Sequence, residues 1–376
     1  MMKRGITAFI LALLLILPTT AGAAAQAKYQ FSWDDGRTGS ISGTALVKNG
    51  VTFVPMTGVI NQSRLELSWD STGKRAQFNG WRKSFAVRIG NLTGMVDGKM
   101  IKLDGAPFLY NKELYLPARF VVNALNGKNI TWDAGSKTFK ADHLQTFKKY
   151  EFVIEGLKYA IEGKSGDIYV TDSKGTQRLL TKLGAPIWEY LNIGFQKTQG
   201  GLLVVNLADN YGEPHLNNQQ FTLVIKEGKV IQQSSVHYWN RLELNATKFN
   251  ERLILIDGKT LRLIEDGTGK VVETIDLVKL GGEDDNYFVE YFDNDVFLLR
   301  ANKSGILKLV DRDTGKISVL YKELLDAKHQ EYVETNDMPY LGDFLKIIKR
   351  DGDTLVFKNE FPYDKDNNTY RFAISE

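Results

Sequence analysis

LYLPARFVVNALNGKNITWD, residues 114–133, decides how the first third of the chain folds. Leu114, Tyr115 and Leu116 alternate as a strand does, and Pro117 suits a first helical turn, where its missing N–H costs nothing. Phe120, Val121 and Leu125 then share one helical face, and Gly127 is expected to close the helix as its C-terminal cap. Ile130 and Trp132 point to one side of a new strand and Thr131 and Asp133 to the other, before Ala134-Gly-Ser-Lys turns into a strand over 138–141. A cruder copy, VTFVPMTGVINQSRLELSWD, occupies 51–70 and sets Pro55 against Pro117, Trp69 against Trp132 and Asp70 against Asp133, 62 to 63 residues earlier.

Each copy therefore predicts a β-α-β-β unit. Between them SFAVRIG (84–90) reads as a strand, and LTGMVDGKMIKL (92–103) as a hairpin turning at Asp97-Gly98 in a type I′ turn. Duplication suggests two half-domains sharing a core, with Trp69 and Trp132 expected in equivalent buried places. The pattern of a proline-led helix, a glycine and then V-x-W-D is carried by Pro117, Arg119, Gly127, Ile130, Trp132 and Asp133, and more weakly by Pro55, Trp69 and Asp70. It resembles the stalk, or N-terminal-domain-like, module of copper amine oxidases, an accessory unit of many secreted Firmicute proteins, and covers about 29–143. The resemblance implies a positioning domain that holds neither copper nor the catalytic cofactor. Two departures, Asn123 in place of a glutamate and Gly58 where the second copy has Arg119, remove a helix-borne ion pair common in the family.

The N-terminus supplies a compartment. Lys3 and Arg4 precede an apolar run from Ile6 to Pro18 and the small-residue stretch AGAAAQA (21–27), which reads as a secretory signal peptide over 1–27, cut after Ala27. Later segments lack 18 uninterrupted apolar residues, so no membrane span is expected once the leader is gone. Cysteine is absent, which excludes disulfides, thiolate metal sites and a lipid-modified cysteine. With 48 basic and 45 acidic residues, two of the basic ones in the leader, electrostatic capture of nucleic acid is not expected.

From about 147 the chain changes to short strands and glycine-centred turns. LRLIEDGTGK (261–270) and LKLVDRDTGK (307–316) repeat at 46 residues, each between further apolar strands, RLILI (252–256) with VVETIDL (271–277), and VFLLR (296–300) with ISVLYKEL (317–324). Looser relatives are IYVTDSKG (168–175), FTLVIKEGK (221–229), TLVFKNEF (354–361) and TYRFAIS (369–375). Five such units predict an all-β domain over 147–376, a five-bladed β-propeller whose last blade lacks an outer strand and closes with residues near 143–150 or leaves the ring imperfect. The fold class is thus an α+β stalk domain over 28–143 followed by that all-β domain.

No nucleophile elbow, phosphate loop, zincin helix or paired-cysteine motif occurs. Glu283, Asp284, Asp285, Asp293 and Asp295 could supply a glycosidase acid and base, or merely solubilise loops. Asp364, Asp366 and Asn368 have the opening spacing of a calcium loop without its glycine or final glutamate. His143, His215, His237 and His329 share no metal-ligand spacing and read as ordinary surface histidines. Trp188, Tyr190, Tyr238, Trp239, Tyr287 and Tyr291 either face a ligand or pack one blade against the next. The reading that follows is a secreted or wall-associated binding protein, without catalysis or cofactor, whose partner is a wall polymer, glycan or envelope protein. Its rivals are a carbohydrate-active hydrolase and a purely structural envelope protein.

Overall fold

The computed structural model describes residues 25–34, 39–362 and 368–374. Residues 1–24 of the expected leader, and Asp364 and Asp366, lie outside the described residues. Contacts divide the chain into two compact units, Met1–Lys149 and Tyr150–Glu376.

The first unit runs β1 (Ala25–Trp33), β2 (Ser40–Lys48), β3 (Val51–Pro55), α1 (Met56–Ser63), β4 (Glu66–Asp70), β5 (Arg75–Gly80), β6 (Lys83–Arg88), β7 (Thr93–Val96), β8 (Lys99–Lys102), β9 (Phe108–Tyr110), β10 (Glu113–Pro117), α2 (Ala118–Ala124), β11 (Lys128–Asp133) and β12 (Thr138–Leu144). Both copies are β-α-β-β in order. Copy one sends its last two strands into a five-stranded meander, β4 to β8, while copy two ends at the edge of a seven-stranded sheet ordered β11-β12-β1-β2-β3-β10-β9. The copies meet where β3 and β10 pair: Tyr115 faces Pro55, Leu116 faces Val54 and Pro117 faces Phe53, a local twofold about two fully buried side chains. Residues 25–27, the end of the expected leader, are described as part of β1. Ala25 pairs with Val47, and Ala27 begins the buried series Ala27, Tyr29, Phe31 and Trp33.

The core is phenylalanine-rich. Phe78 stacks on Phe85 at 4.5 Å, Phe120 meets Phe85 edge-on at 5.9 Å, and Val121, Leu125, Met56 and Val59 fill around them. The expectation that Trp69 and Trp132 share this core is overturned, since they are 42% and 48% exposed. β4 and β11 are edge strands, exposed along most of their length, and alternation alone does not tell an edge strand from a central one. The Asp of each Trp-Asp pair does have equivalent work. Asp70 Oδ1 accepts the Gly73 N–H at 3.0 Å, Asp133 Oδ1 accepts the Ser136 N–H at 3.0 Å, and Lys74 and Lys137 follow at φ 49° and 51°. The hairpin at Asp97-Gly98 has both φ positive, as a type I′ turn requires.

Gly127 is not the left-handed residue after α2; Asn126 is, at φ 56°. A Cβ on Gly127 would lie 2.8 Å from Val122 Cγ1 and 3.1 Å from Leu144 Cδ1, so close packing rather than chain reversal requires the glycine. Arg119 lies at the start of α2, its Nε 3.8 Å from Asp104 Oδ2.

The second unit consists of five consecutive antiparallel meanders: sheet I (149–182), sheet II (190–239), sheet III (248–276) and sheet IV (287–319) with four strands each, and sheet V (345–373) with three. Apolar clusters join I to II, II to III, III to IV and IV to V. The repeated turn behaves as its composition requires: Asp311 Oδ1 accepts the Thr314 N–H and hydroxyl, both at 2.7 Å, and Gly315 takes φ 71°. Two segments differ from expectation. ISVLYKEL is a three-residue strand and then a helix, Leu320–Leu324, and residues 149–154 pair within sheet I rather than completing sheet V.

Two outcomes follow for the first unit. Gly127→Ala should cost about 1–3 kcal/mol through overpacking, read from urea unfolding. The Asp133 carboxyl, held at about 2 by the Ser136 N–H and hydroxyl and then by Lys140, should titrate there by NMR. Its folded value lies below the unfolded one, so its stabilisation is complete above pH 3.8 and fades as pH falls through about 2.

Candidate ligand-binding cleft

Sheet II comprises Tyr190–Lys197, Leu203–Tyr211, Asn217–Lys226 and Lys229–Trp239. One face, with Val205, Leu207, Phe221 and Leu223, packs on sheet I. The other is apolar at its two ends only: Val204 and Val224 meet Leu253, Leu255 and Ile264 of sheet III, and Val236 and Tyr238 meet Phe288. Between these patches the ladder places Asn206 opposite Thr222 and Thr222 opposite Ser234, with Gln220 beside them opposite Ala208 and Val236. Packing an apolar sheet onto amides and hydroxyls would bury them unpaired. Here the sheets part instead, leaving a cleft of about 260 Å³ whose far wall is formed by 243–247 and 253–256.

The polar wall keeps spare hydrogen-bonding capacity. The Thr222 hydroxyl donates to Asn206 Oδ1 at 3.0 Å, while the Asn206 amide N–H₂ and the Gln196 and Gln220 side chains keep their donors and acceptors open toward the cleft. Gly194 stands opposite Asn206, hence on the same face, and a Cβ there would meet nothing within 4 Å.

Glu243 is the single ionisable side chain among the described residues lining the cleft. It is bound to Arg241 at 3.0 Å, to Lys346, and at 3.9 Å to Arg300. Burial alone would raise its pKa, but Arg300, Lys346 and Arg241 outweigh burial and hold it below the ordinary carboxylate value. Arg300 is itself wholly buried. It pairs with Glu290 and with Asp343 at 2.8 Å, and donates to the carbonyls of Gly305, Asp343 and Leu345 at 2.8, 3.0 and 2.6 Å. Burial opposes its charge, and Asp343 and Glu290 more than reverse that, raising its pKa.

Of the six aromatic residues singled out, the structure divides the set. Tyr238 and Tyr287 are not ligand-facing. Tyr238 is fully buried, stacked at 3.7 Å on Phe288 with its hydroxyl donating to the Tyr287 carbonyl at 2.9 Å, and Tyr287, also buried, donates to the Glu283 carbonyl at 2.9 Å. Both sit on the packed side of their strands, which spacing does not reveal. Tyr291 is half-buried and bonded to Asp293, its phenol pushed up to about 12 by burial and then by that carboxylate. Trp188, Tyr190 and Trp239 reach the surface at one end of sheet II, Tyr190 being 62% exposed. Tyr211, His215 and His237 join them there, with Trp188 6.0 Å from Tyr211 and Tyr190 5.2 Å from His215.

Each acidic candidate is held by a cation or by backbone N–H groups. Glu283 is bound to Lys308 at 2.8 Å, Asp284 to Lys259 at 2.5 Å, and Asp293 and Asp295 both to Arg350. Asp285 is buried and accepts the N–H groups of Asn286 and Lys303 at 2.7 Å each. Asn368 is exposed, just before Thr369–Ala373. Among the described residues no three of His, Asp and Glu group as metal ligands, and no helix is long and apolar enough to cross a membrane. The polar cleft went unnoticed in the sequence, although Asn206 and Ala208 on one strand and Gln220 and Thr222 on the next already broke the apolar alternation.

Residues 34–141 match the family model of the copper amine oxidase N-terminal domain. No curated protein matches the chain. Among solved structures, Saccharomyces cerevisiae Sqt1 is 9% identical over 82% of this chain and 74% of its own, with a TM-score of 0.25. Virginiamycin B lyase from Staphylococcus aureus is 10% identical over 78% and 90%, TM-score 0.21, and apo AztD from Citrobacter koseri 10% over 78% and 83%, TM-score 0.25. Likenesses at these scores carry no weight for function.

Arg300→Met, which strands Asp343 and Glu290 without their cation, should destabilise the protein by about 3–5 kcal/mol. Denaturant unfolding followed by far-UV circular dichroism measures it.

Proposed function

We propose that the protein is a secreted or wall-associated binding protein that makes and breaks no bonds. In this reading the first unit is a stalk and the second a five-bladed propeller-like domain that takes a neutral, hydroxyl-rich wall polymer or glycan. The observation that carries it is the cleft, whose wall is built of uncharged amides and hydroxyls over an apolar floor and whose one carboxylate is ionised and saturated by three cations. Glycoside hydrolysis needs two carboxyl groups facing each other at about 5–10 Å, one of them protonated. Glu243 meets neither requirement. The five consecutive sheets, joined pairwise by apolar clusters, support the propeller reading. Export rests on the sequence of the leader.

The test is retention of the leaderless protein on purified cell wall and on a glycan array, followed by a search for released sugar. Binding without turnover is expected. Gly194→Trp, which enters open space at an unstrained backbone position, should weaken binding at least about tenfold while leaving the unfolding midpoint in place. Sugar release that Asp284→Asn or Asp293→Asn abolishes would overturn the reading.

A further inference from the structure

The exposed Trp132 lines a second pocket, within the first unit. Its other walls are Arg119, Asp104, Phe139 and the β2–β3 turn around Gly50, and it encloses about 440 Å³. Phe139 is buried and faces Trp132 directly across the β11–β12 ladder, so the indole stands on a packed floor. Gly50 leaves one side low, since a Cβ there would meet nothing within 4 Å.

Arg119 and Asp104 form the polar rim. Their contact, 3.8 Å between side chains 63% and 57% exposed, is a loose one. It uses neither the guanidinium fork nor the full accepting capacity of the carboxylate. The pair is neutral as a whole, so it selects no ligand charge. Arg119 can only donate and an ionised Asp104 only accept, whereas a vicinal diol does both, and the apolar C–H face of a pyranose is the complement of an indole. A proline-rich peptide would offer carbonyls to Arg119 but no donor to Asp104.

We propose that Trp132, Arg119 and Asp104 form a saccharide site that stacks a neutral pyranose ring on the indole and holds its hydroxyls between the carboxylate and the guanidinium. The proposal does not depend on the cleft of the second unit. The duplication supplies its own control. Trp69 occupies the matching place in the first copy and is similarly exposed, but Thr57, two residues after Pro55 as Arg119 is after Pro117, stands in place of the arginine and donates its hydroxyl to Glu113. Trp69 therefore offers an indole without the polar rim.

The test uses the whole protein with 5-fluorotryptophan in place of tryptophan, the Trp132 and Trp69 fluorine resonances being assigned by Trp132→Phe and Trp69→Phe. Chitotetraose and cellotetraose are titrated in, with a polyproline decapeptide as a third ligand. At least one tetrasaccharide should shift the Trp132 resonance saturably and leave Trp69 in place. By isothermal titration calorimetry, Trp132→Ala and Arg119→Ala should each weaken that binding about tenfold or more, Trp132→Phe less, and Trp69→Ala not at all. Repeating the titration in Gly194→Trp separates this site from the cleft, because loss of cleft binding there should leave the Trp132 shift intact. A Trp132 resonance that no tetrasaccharide moves, that responds only to polyproline, or that moves together with Trp69 would overturn the assignment.

Discussion

The second unit depends on one buried cation. Arg300, in sheet IV, has no exposed surface, and its charge is tolerated there because several segments, from five to 57 residues away, bring their oxygens to it. Glu290 comes from the neighbouring strand, Asp343 and three carbonyls from 305–345, and Glu243 from the segment leading into sheet III. Arg241 and Lys346 balance the remaining negative charge. Such a network adds little net stability compared with apolar packing, but any arrangement that misplaces one segment leaves an unpaired charge in the interior. The same contacts tie Arg241 and Glu243, at the start of the far wall of the cleft, to Arg300 and to 341–346.

In the first unit the comparable constraint is backbone geometry. β3 and β10 pair about Val54 and Leu116, so the two copies can share a core only near that axis. The strands that follow each helix are carried outward, and β4 and β11 end as sheet edges. The Trp-Asp pairs ride on those edges. Their aspartates close turns while their indoles remain in solvent, which separates a structural half of the motif from a half left open for contact.

Local order was legible in the sequence. The β-α-β-β units, the Asp97-Gly98 hairpin, the Asp-x-x-Thr-Gly-Lys turn and the succession of meanders follow from alternation and turn chemistry that act within a few residues. What failed was everything set by neighbours far along the chain. Whether Trp132 is covered depends on β11 having no outer neighbour, and whether Tyr238 faces a ligand or Phe288 depends on which side of sheet II meets sheet IV. Gly127 looked like a helix cap because of its position, yet it is needed for the Val122 and Leu144 side chains beside it. The cations that hold Glu283, Asp284 and Asp293 were not legible beside them, because they lie 25 to 57 residues away.

The polar row on sheet II shows how a departure from alternation becomes chemistry. An inter-sheet face needs apolar side chains to exclude water, and Asn206, Gln220, Thr222 and Ser234 deny it that over the middle of its length. Water or a ligand must then satisfy those groups. A neutral wall gains nothing from electrostatic steering, so association there should be slow to moderate and nearly indifferent to salt, and a single site of this kind binds modestly. A polymer offsets that modesty by repetition, since it presents the same ring many times to one site. Effective concentration, rather than any one strong contact, would then supply the affinity.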